Sequence, residues 1–356
     1  MKVKIIIFKL IFLDNYNIIE NLTKKINNFN YLEIEFKHKI YDNISYNFII
    51  RSAYKLYLYE QKYIILLYIK NVNNKFNKTI IYSHGKNETL GSIYSLLYNL
   101  SSQLKCNILA YDYSGYGLSD GYPTSIEINN NIIKVLNFAN NILNLNNNDI
   151  ILMSNEYGCF PTINLASNNK YKNIYCIILI TPIAYINFNK NNDFNKNIFS
   201  EENSIYSDIE FFNNKEKINK IFSPIFVIHG QKDNKISINH SKKLIKYMNN
   251  YIKWFPHYAG FNEILLNSRD EFYYKISLFL KNTDKIIKKS SENKLDFQNN
   301  LINLINSKDF IISKKYGIQR EESENNEKNK SEDKDDSNYT MIKHTDTYNY
   351  DISEIE

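Results

Sequence analysis

Short apolar runs alternate along the chain with longer stretches in which apolar residues recur every three or four positions, the rhythm of strands joined by crossover helices. The runs predict strands at Glu33–Phe36, Asn47–Arg51, Tyr63–Ile69, Thr79–Ser83, Asn107–Asp112, Asp149–Met153, Cys176–Ile180, Pro224–His229 and Tyr251–Phe255. Several later ones are almost continuously apolar, as a strand buried on both faces of a parallel sheet requires. The longer stretches predict helices at Ile93–Gln103, Ile126–Ile142, Cys159–Ala166, Ser237–Tyr247 and Arg269–Leu280. The expected class is therefore α/β, a mostly parallel central sheet with helices on both faces. The pattern places one domain over residues 1–282, room for one further helix over 283–320, and a tail from 321 to 356. The Asn/Lys-rich stretch Asn187–Asn197 reads as an exposed insertion, within a short Asn-rich span, Pro182–Ser223, where a small cap would lie over an open pocket.

Composition changes this picture in three places. With 356 residues, 43% of them apolar, the chain can bury a large core. Asn makes up about a sixth of the residues, which reads as nucleotide bias, while only 9 glycines remain. Those at positions 85, 115, 117, 158, 230 and 260 are thus expected where the backbone needs them. The net charge of +6 divides unevenly: residues 1–320 hold 40 basic and 26 acidic side chains, and Glu321–Glu356 hold 4 and 12. The body is basic, but its lysines are scattered among asparagines and line no single face, so nucleic acid is not an expected partner. Residues 321–336 contain no apolar side chain and are expected to be a solvated, disordered acidic tail.

Three cysteines, Cys106, Cys159 and Cys176, are too few and too dispersed for a disulfide framework or metal site, and suit buried thiols in a reducing, cytoplasmic setting. Lys9 interrupts the apolar run Met1–Leu13, which reads as a first strand rather than a signal peptide. No segment approaches the roughly 18 to 20 uninterrupted apolar residues of a membrane helix. No metal or cofactor is expected, because no His/Cys/Asp/Glu spacing suits one.

Five punctuated segments follow predicted strands at the carboxyl edge of the sheet, where chemistry sits in open α/β folds. They are Ser83-His84-Gly85-Lys86-Asn87, Asp112-Tyr113-Ser114-Gly115-Tyr116-Gly117, Ser154-Asn155-Glu156-Tyr157-Gly158, Ile228-His229-Gly230-Gln231-Lys232-Asp233, and Ala259-Gly260-Phe261-Asn262-Glu263. The third has the small-x-x-x-Gly frame of a nucleophile elbow, with Glu156 where serine would stand.

From about Thr79 to Leu280 these segments resemble the α/β-hydrolase superfamily, specifically the α/β-hydrolase-domain branch that contains acyl-protein thioesterases. Tyr111–Gly117 carries the resemblance most specifically, supported by Ser83-His84-Gly85, Pro161-Thr162 and Val227-Ile228-His229-Gly230. The resemblance implies a nucleophilic serine at Glu156, the triad acid at Asp233 and the general base at Phe261. It also implies oxyanion-loop positions at Gly85, Lys86 and Tyr157, with Tyr113 and Tyr116 beside the pocket. Two of three catalytic positions are thus substituted. Those relatives reach membranes through an amino-terminal cysteine cluster; Met1–Asn30 has no cysteine, so any peripheral membrane contact would use another device.

Phenylalanine can neither take nor return a proton, and glutamate at an elbow is one methylene longer than the aspartate nucleophiles of hydrolases that act on haloalkanes and epoxides. His257 is the only nearby substitute base, and a strand-end surface role suits it better. Glu156 and Asp233 facing one pocket would shift each other's acidity, as an acid–base pair or a weak metal site would need. A pairing of Glu156 with Lys86 would instead plug the oxyanion position. The expectation is a non-catalytic, hydrolase-fold protein that binds an unidentified ligand or protein partner, with an active ester or thioester hydrolase as the alternative.

Overall fold

The computed structural model describes residues 19–20, 24–26, 29–36, 49–58, 62–171, 173–186, 212–260, 263–264, 269–288, 296, 299–303 and 305. Among the described residues eleven strands are β1 (Ile19–Glu20), β2 (Lys24–Ile26), β3 (Phe29–Phe36), β4 (Ile49–Tyr57), β5 (Tyr63–Asn71), β6 (Thr79–Ser83), β7 (Asn107–Tyr111), β8 (Ile150–Asn155), β9 (Cys176–Ile180), β10 (Ile225–Ile228) and β11 (Tyr251–Trp254). They form one sheet in the order β1-β3-β4-β5-β7-β6-β8-β9-β10-β11, with β2 pairing β3. Pairing is antiparallel from β1 to the β5–β7 junction and parallel from β7 to β11.

The parallel strands are apolar throughout because both faces are covered. Every residue of β6, β8, β9 and β10 is buried. The helices are α1 (Tyr94–Leu104), α2 (Ser125–Asn141), α3 (Cys159–Ala166), α4 (Asn239–Ile245) and α5 (Arg269–Lys288). On one face Leu97 and Leu100 of α1 and Phe272, Ile276 and Phe279 of α5 pack with Ile80, Met153 and Ile178. On the other, Ile128, Val135 and Phe138 of α2, Phe160 and Ile163 of α3 and Leu244 of α4 pack with Ile81, Leu152 and Ile177. These layers are the α/β-hydrolase arrangement, and they bring the ends of β6, β8 and β10 to one edge.

Two expected strands, Thr79–Ser83 and Cys176–Ile180, and the helix Cys159–Ala166 have the same limits in the structure. The expected Glu33–Phe36 and Asn47–Arg51 are parts of longer strands, because β3 and β4 pair along six residues and extend each other. The strands β1 and β2 were not legible, being short and without an apolar period. Helix α5 continues eight residues past Leu280, burying Thr283 and Ile286 along its extension. The expected strand at Met1–Leu13, the insertion Asn187–Asn197 and the acidic tail lie outside the described residues.

Candidate functional site

The turn after β8 is a sharp strand-to-helix elbow. Asn155 ends the strand in extended backbone, Glu156 turns it with φ of +46°, and a single 3-10 turn over Glu156–Gly158 feeds α3. A positive φ is costly for a residue with a Cβ and persists only where the surroundings enforce it. Two residues on, a Cβ at Gly158 would lie 2.2 Å from the Ser83 carbonyl oxygen and 2.7 Å from that of His84. Close approach of α3 to the end of β6 therefore requires glycine.

The loop after β6 faces the elbow. The Gly85 N–H donates to Glu88 Oε2 at 2.5 Å, and Asn155 Nδ2 donates to Glu88 Oε1 at 3.2 Å. Glu156 Oε2 comes to the same place, 3.3 Å from where a Cβ on Gly85 would sit, with Glu88 Oε2 at 3.0 Å from that point. Two carboxylates thus crowd Gly85, and Glu88 holds the backbone donor that an oxyanion loop would offer a substrate. Burial first, then the charges of Glu88 and Asp233, raise the Glu156 carboxyl to about 7 against the opposing pull of Lys235. Burial also raises Glu88, against the lowering effect of its two hydrogen bonds. The charge of Lys235 reaches Glu156, and Lys86, half-buried in the loop after β6, has its pKa lowered by burial. Glu88 reaches the Gly85 N–H from three residues along the same loop.

Asp233 sits in the turn after β10. Its Oδ1 accepts from the N–H groups of Lys235 and Ile236 at 2.9 and 2.8 Å, and its Oδ2 is 3.8 Å from His229 Nε2. His229 is fully buried between Ser241 Oγ at 2.7 Å and the Ile236 carbonyl at 2.8 Å, and burial lowers its pKa. This turn is tied to the loop after β11: Gln231 N–H donates to the Pro256 carbonyl and Lys232 N–H to that of Ala259, each at 2.9 Å. A Cβ on Gly230 would lie 2.4 Å from the Ala259 oxygen, so the two loops press together. Phe261 lies outside the described residues. His257 is exposed, its ring 5.5 Å from that of Tyr258, whereas Glu156 is largely enclosed.

His84, Tyr113 and Tyr116 form the shoulder of the site. The Tyr113 hydroxyl donates to the His84 carbonyl at 2.8 Å, and both tyrosine rings lie against the His84 ring, at 4.3 and 5.3 Å. His84 is fully buried beside the Asp112 carboxyl at 3.5 Å; burial lowers the histidine to about 4 and raises the aspartate to about 7. Tyr157 packs its ring against Tyr113, Phe160 and Phe212. A cavity of about 540 Å³ opens at the other end of the sheet, beside Lys78, Tyr175, Phe222 and Asn250, remote from this chemistry. Among the described residues no group of three or more His, Cys, Asp or Glu side chains could hold a metal ion.

Sequence reasoning missed Glu88, Tyr82 and Lys235. The first had a signal: an acid three residues after a turn glycine is the spacing that returns a carboxylate to a backbone N–H. The other two are set by strand register and loop packing.

Sheet order, elbow and acid turn together define an α/β-hydrolase-fold protein. The chain is 33% identical over 205 residues to the α/β-hydrolase-type protein L404 of Acanthamoeba polyphaga mimivirus, an alignment covering 56% of this chain and 73% of that protein. The chain belongs to the α/β hydrolase family. It is also 30% identical over 168 residues to human α/β hydrolase domain-containing protein 17B and 31% over 162 residues to mouse protein 17C, matching about half of their lengths, 54% and 47%. Among solved structures it is similar to the Pyrococcus furiosus esterase Pf2001, with a TM-score of 0.51 at 19% identity over 64% of this chain and 90% of that one. The α/β hydrolase GrgF from a Penicillium species gives 0.53 at 14% identity, over 65% and 98%. No protein-family model matches the sequence.

Proposed function

We propose that this chain is a non-catalytic member of the family, a cytoplasmic binding module whose elbow site engages a ligand or protein partner. The observation that carries the reading is the placement of Glu156 and Glu88 together on Gly85. A serine mechanism needs a hydroxyl, a base and a vacant oxyanion donor. Here the elbow presents a carboxylate, the aligned base position is Phe261, and the Gly85 N–H is engaged by Glu88. The cytoplasmic placement rests on three buried free thiols, and among the described residues no helix is long and apolar enough to cross a membrane. A fluorophosphonate probe tests the reading: the protein stays unlabelled, and labelling of the wild type would overturn it.

The intact elbow favours one rival, an ester or thioester hydrolase with Glu156 as a carboxylate nucleophile, because its oxygen already approaches the oxyanion loop. Such a mechanism also needs a base to activate water, and His257 is exposed against Tyr258. Incubation with acyl esters in heavy-oxygen water, followed by mass analysis of the Glu156 peptide, separates the two: isotope in that carboxylate identifies the rival.

A further inference from the structure

The amino-terminal edge of the sheet carries a cavity that the elbow chemistry does not use. Residues leading into β6, β9, β10 and β11, together with the end of α3 and the last turns of α5, enclose its volume of about 540 Å³. That is the size of a small-molecule site. One ring stands out on its wall. Phe222 is 75% exposed although its backbone is pinned on both sides: Asn249 Nδ2 donates to the Ile221 carbonyl at 3.2 Å, and Ser223 Oγ to the Ile174 carbonyl at 2.7 Å. A phenyl ring held out into water on a fixed segment forgoes apolar burial until a partner covers it. Ile287 of α5, 50% exposed, lines the same cavity. Tyr175 is a poorer platform, because the Lys78 ammonium covers one face of its ring at 4.4 Å from the centroid.

The polar part of the wall is nearly balanced in charge. Lys78 is matched by Asp149 at 3.4 Å, and among the described residues the other charged side chains on the wall are Lys220 and Asp284, one of each sign. The amides of Asn148, Asn169, Asn173 and Asn250 share this wall, and an amide presents donors and an acceptor together. Asparagine is common throughout the chain, so the amides alone would not mark a site; the pinned, uncovered ring among them does. We infer that this cavity binds a neutral saccharide, with one face of a sugar ring stacked on Phe222 and its hydroxyls on the amides. The C–H groups of a sugar face carry slight positive charge, which the negative face of an aromatic ring attracts, and each hydroxyl both donates and accepts. An anion would meet Asp284 and a cation the two lysines, so a charged ligand gains little net attraction. A wholly apolar ligand would leave the amides it covers without partners. The site lies at the opposite edge from Glu156 and holds whether or not the elbow catalyses.

The test presents maltose, cellobiose, lactose and diacetylchitobiose to the whole protein, read by saturation-transfer NMR and titration calorimetry. Expected is saturable, millimolar binding of at least one of them, nearly unchanged between about 50 and 500 mM sodium chloride, because a neutral ligand offers salt no charge to screen. Phe222→Ala is expected to weaken binding about tenfold. Asn173→Gly keeps the left-handed backbone, at φ of +71°, and removes only the amide, so several-fold weakening is expected. Tyr122→Ala removes a ring that is 72% exposed on the segment between β7 and α2, and leaves binding unchanged. Circular dichroism checks all three variants for folding. Absence of saturable binding of any of the four sugars, or equal binding by wild type and Phe222→Ala, overturns the inference. So does Phe222-dependent binding of glucuronate without binding of a neutral sugar.

Discussion

Glu156 concentrates two costs in one residue, a positive φ and a buried carboxylate near two others. Its pKa is raised in the folded state, so the native protein holds a proton that the unfolded chain releases. The stabilisation is complete below the ordinary value of 4.5 and is lost as pH rises through about 7. Asp112, raised from 3.8 to about 7, adds a slope of the same sign. In urea unfolding Glu156 and Asp112 therefore each favour pH 5 over pH 8, against the opposite slope that the buried His84 and His229, lowered from 6.5, add at the acid end. Glu156→Gln should flatten part of that difference and add on the order of 2 kcal/mol at pH 8, leaving the Asp112 share. A variant with the same slope as the wild type would contradict the burial argument. Gly158→Ala probes the other cost. Its methyl meets the Ser83 carbonyl at 2.2 Å, so α3 must back away, and a loss of about 2–4 kcal/mol in urea unfolding is expected.

Elements are fixed here by local signals where caps and periods agree. Helix α2 begins at Ser125 because Thr124 is in extended backbone and its side chain accepts from the Glu127 N–H at 3.2 Å. Thr124→Ala should cost about 1 kcal/mol by chemical denaturation, with the fold unchanged. Helix α5 shows what local signals leave out. Its apolar rhythm predicts an end near Leu280, yet it runs to Lys288, and Lys275 inside it is only 1% exposed. That ammonium donates to the Ile305 carbonyl and lies 3.5 Å from Glu271. Lys275→Met removes the donor and strands that carbonyl, at an expected cost of about 1–3 kcal/mol, read from urea unfolding. A lysine on a helix face reads as solvated from sequence alone, because its partner is thirty residues away.

Across the whole molecule, function follows from which loops the sheet order brings to one edge. Glu156→Ser is expected to leave fluorophosphonate labelling at the level of Glu156→Ala, since it restores a hydroxyl while Phe261 supplies no base and Glu88 still engages Gly85. Labelling by that single variant would show that an unaligned base reaches the elbow. The sequence by itself determined the fold class, most strand positions and the presence of glutamate and phenylalanine where the family resemblance implies a nucleophile and a base. Each of these depends on residues a few positions apart or on a motif with fixed spacing. Only the tertiary structure decided what Glu156 meets. The sheet register sets the end of β6 against the end of β8, and Glu88 in the loop that follows β6 reaches both the Gly85 N–H and the Asn155 amide. Lys235, 79 positions along the chain, pulls on the Glu156 carboxyl, because charge interactions depend on distance through space.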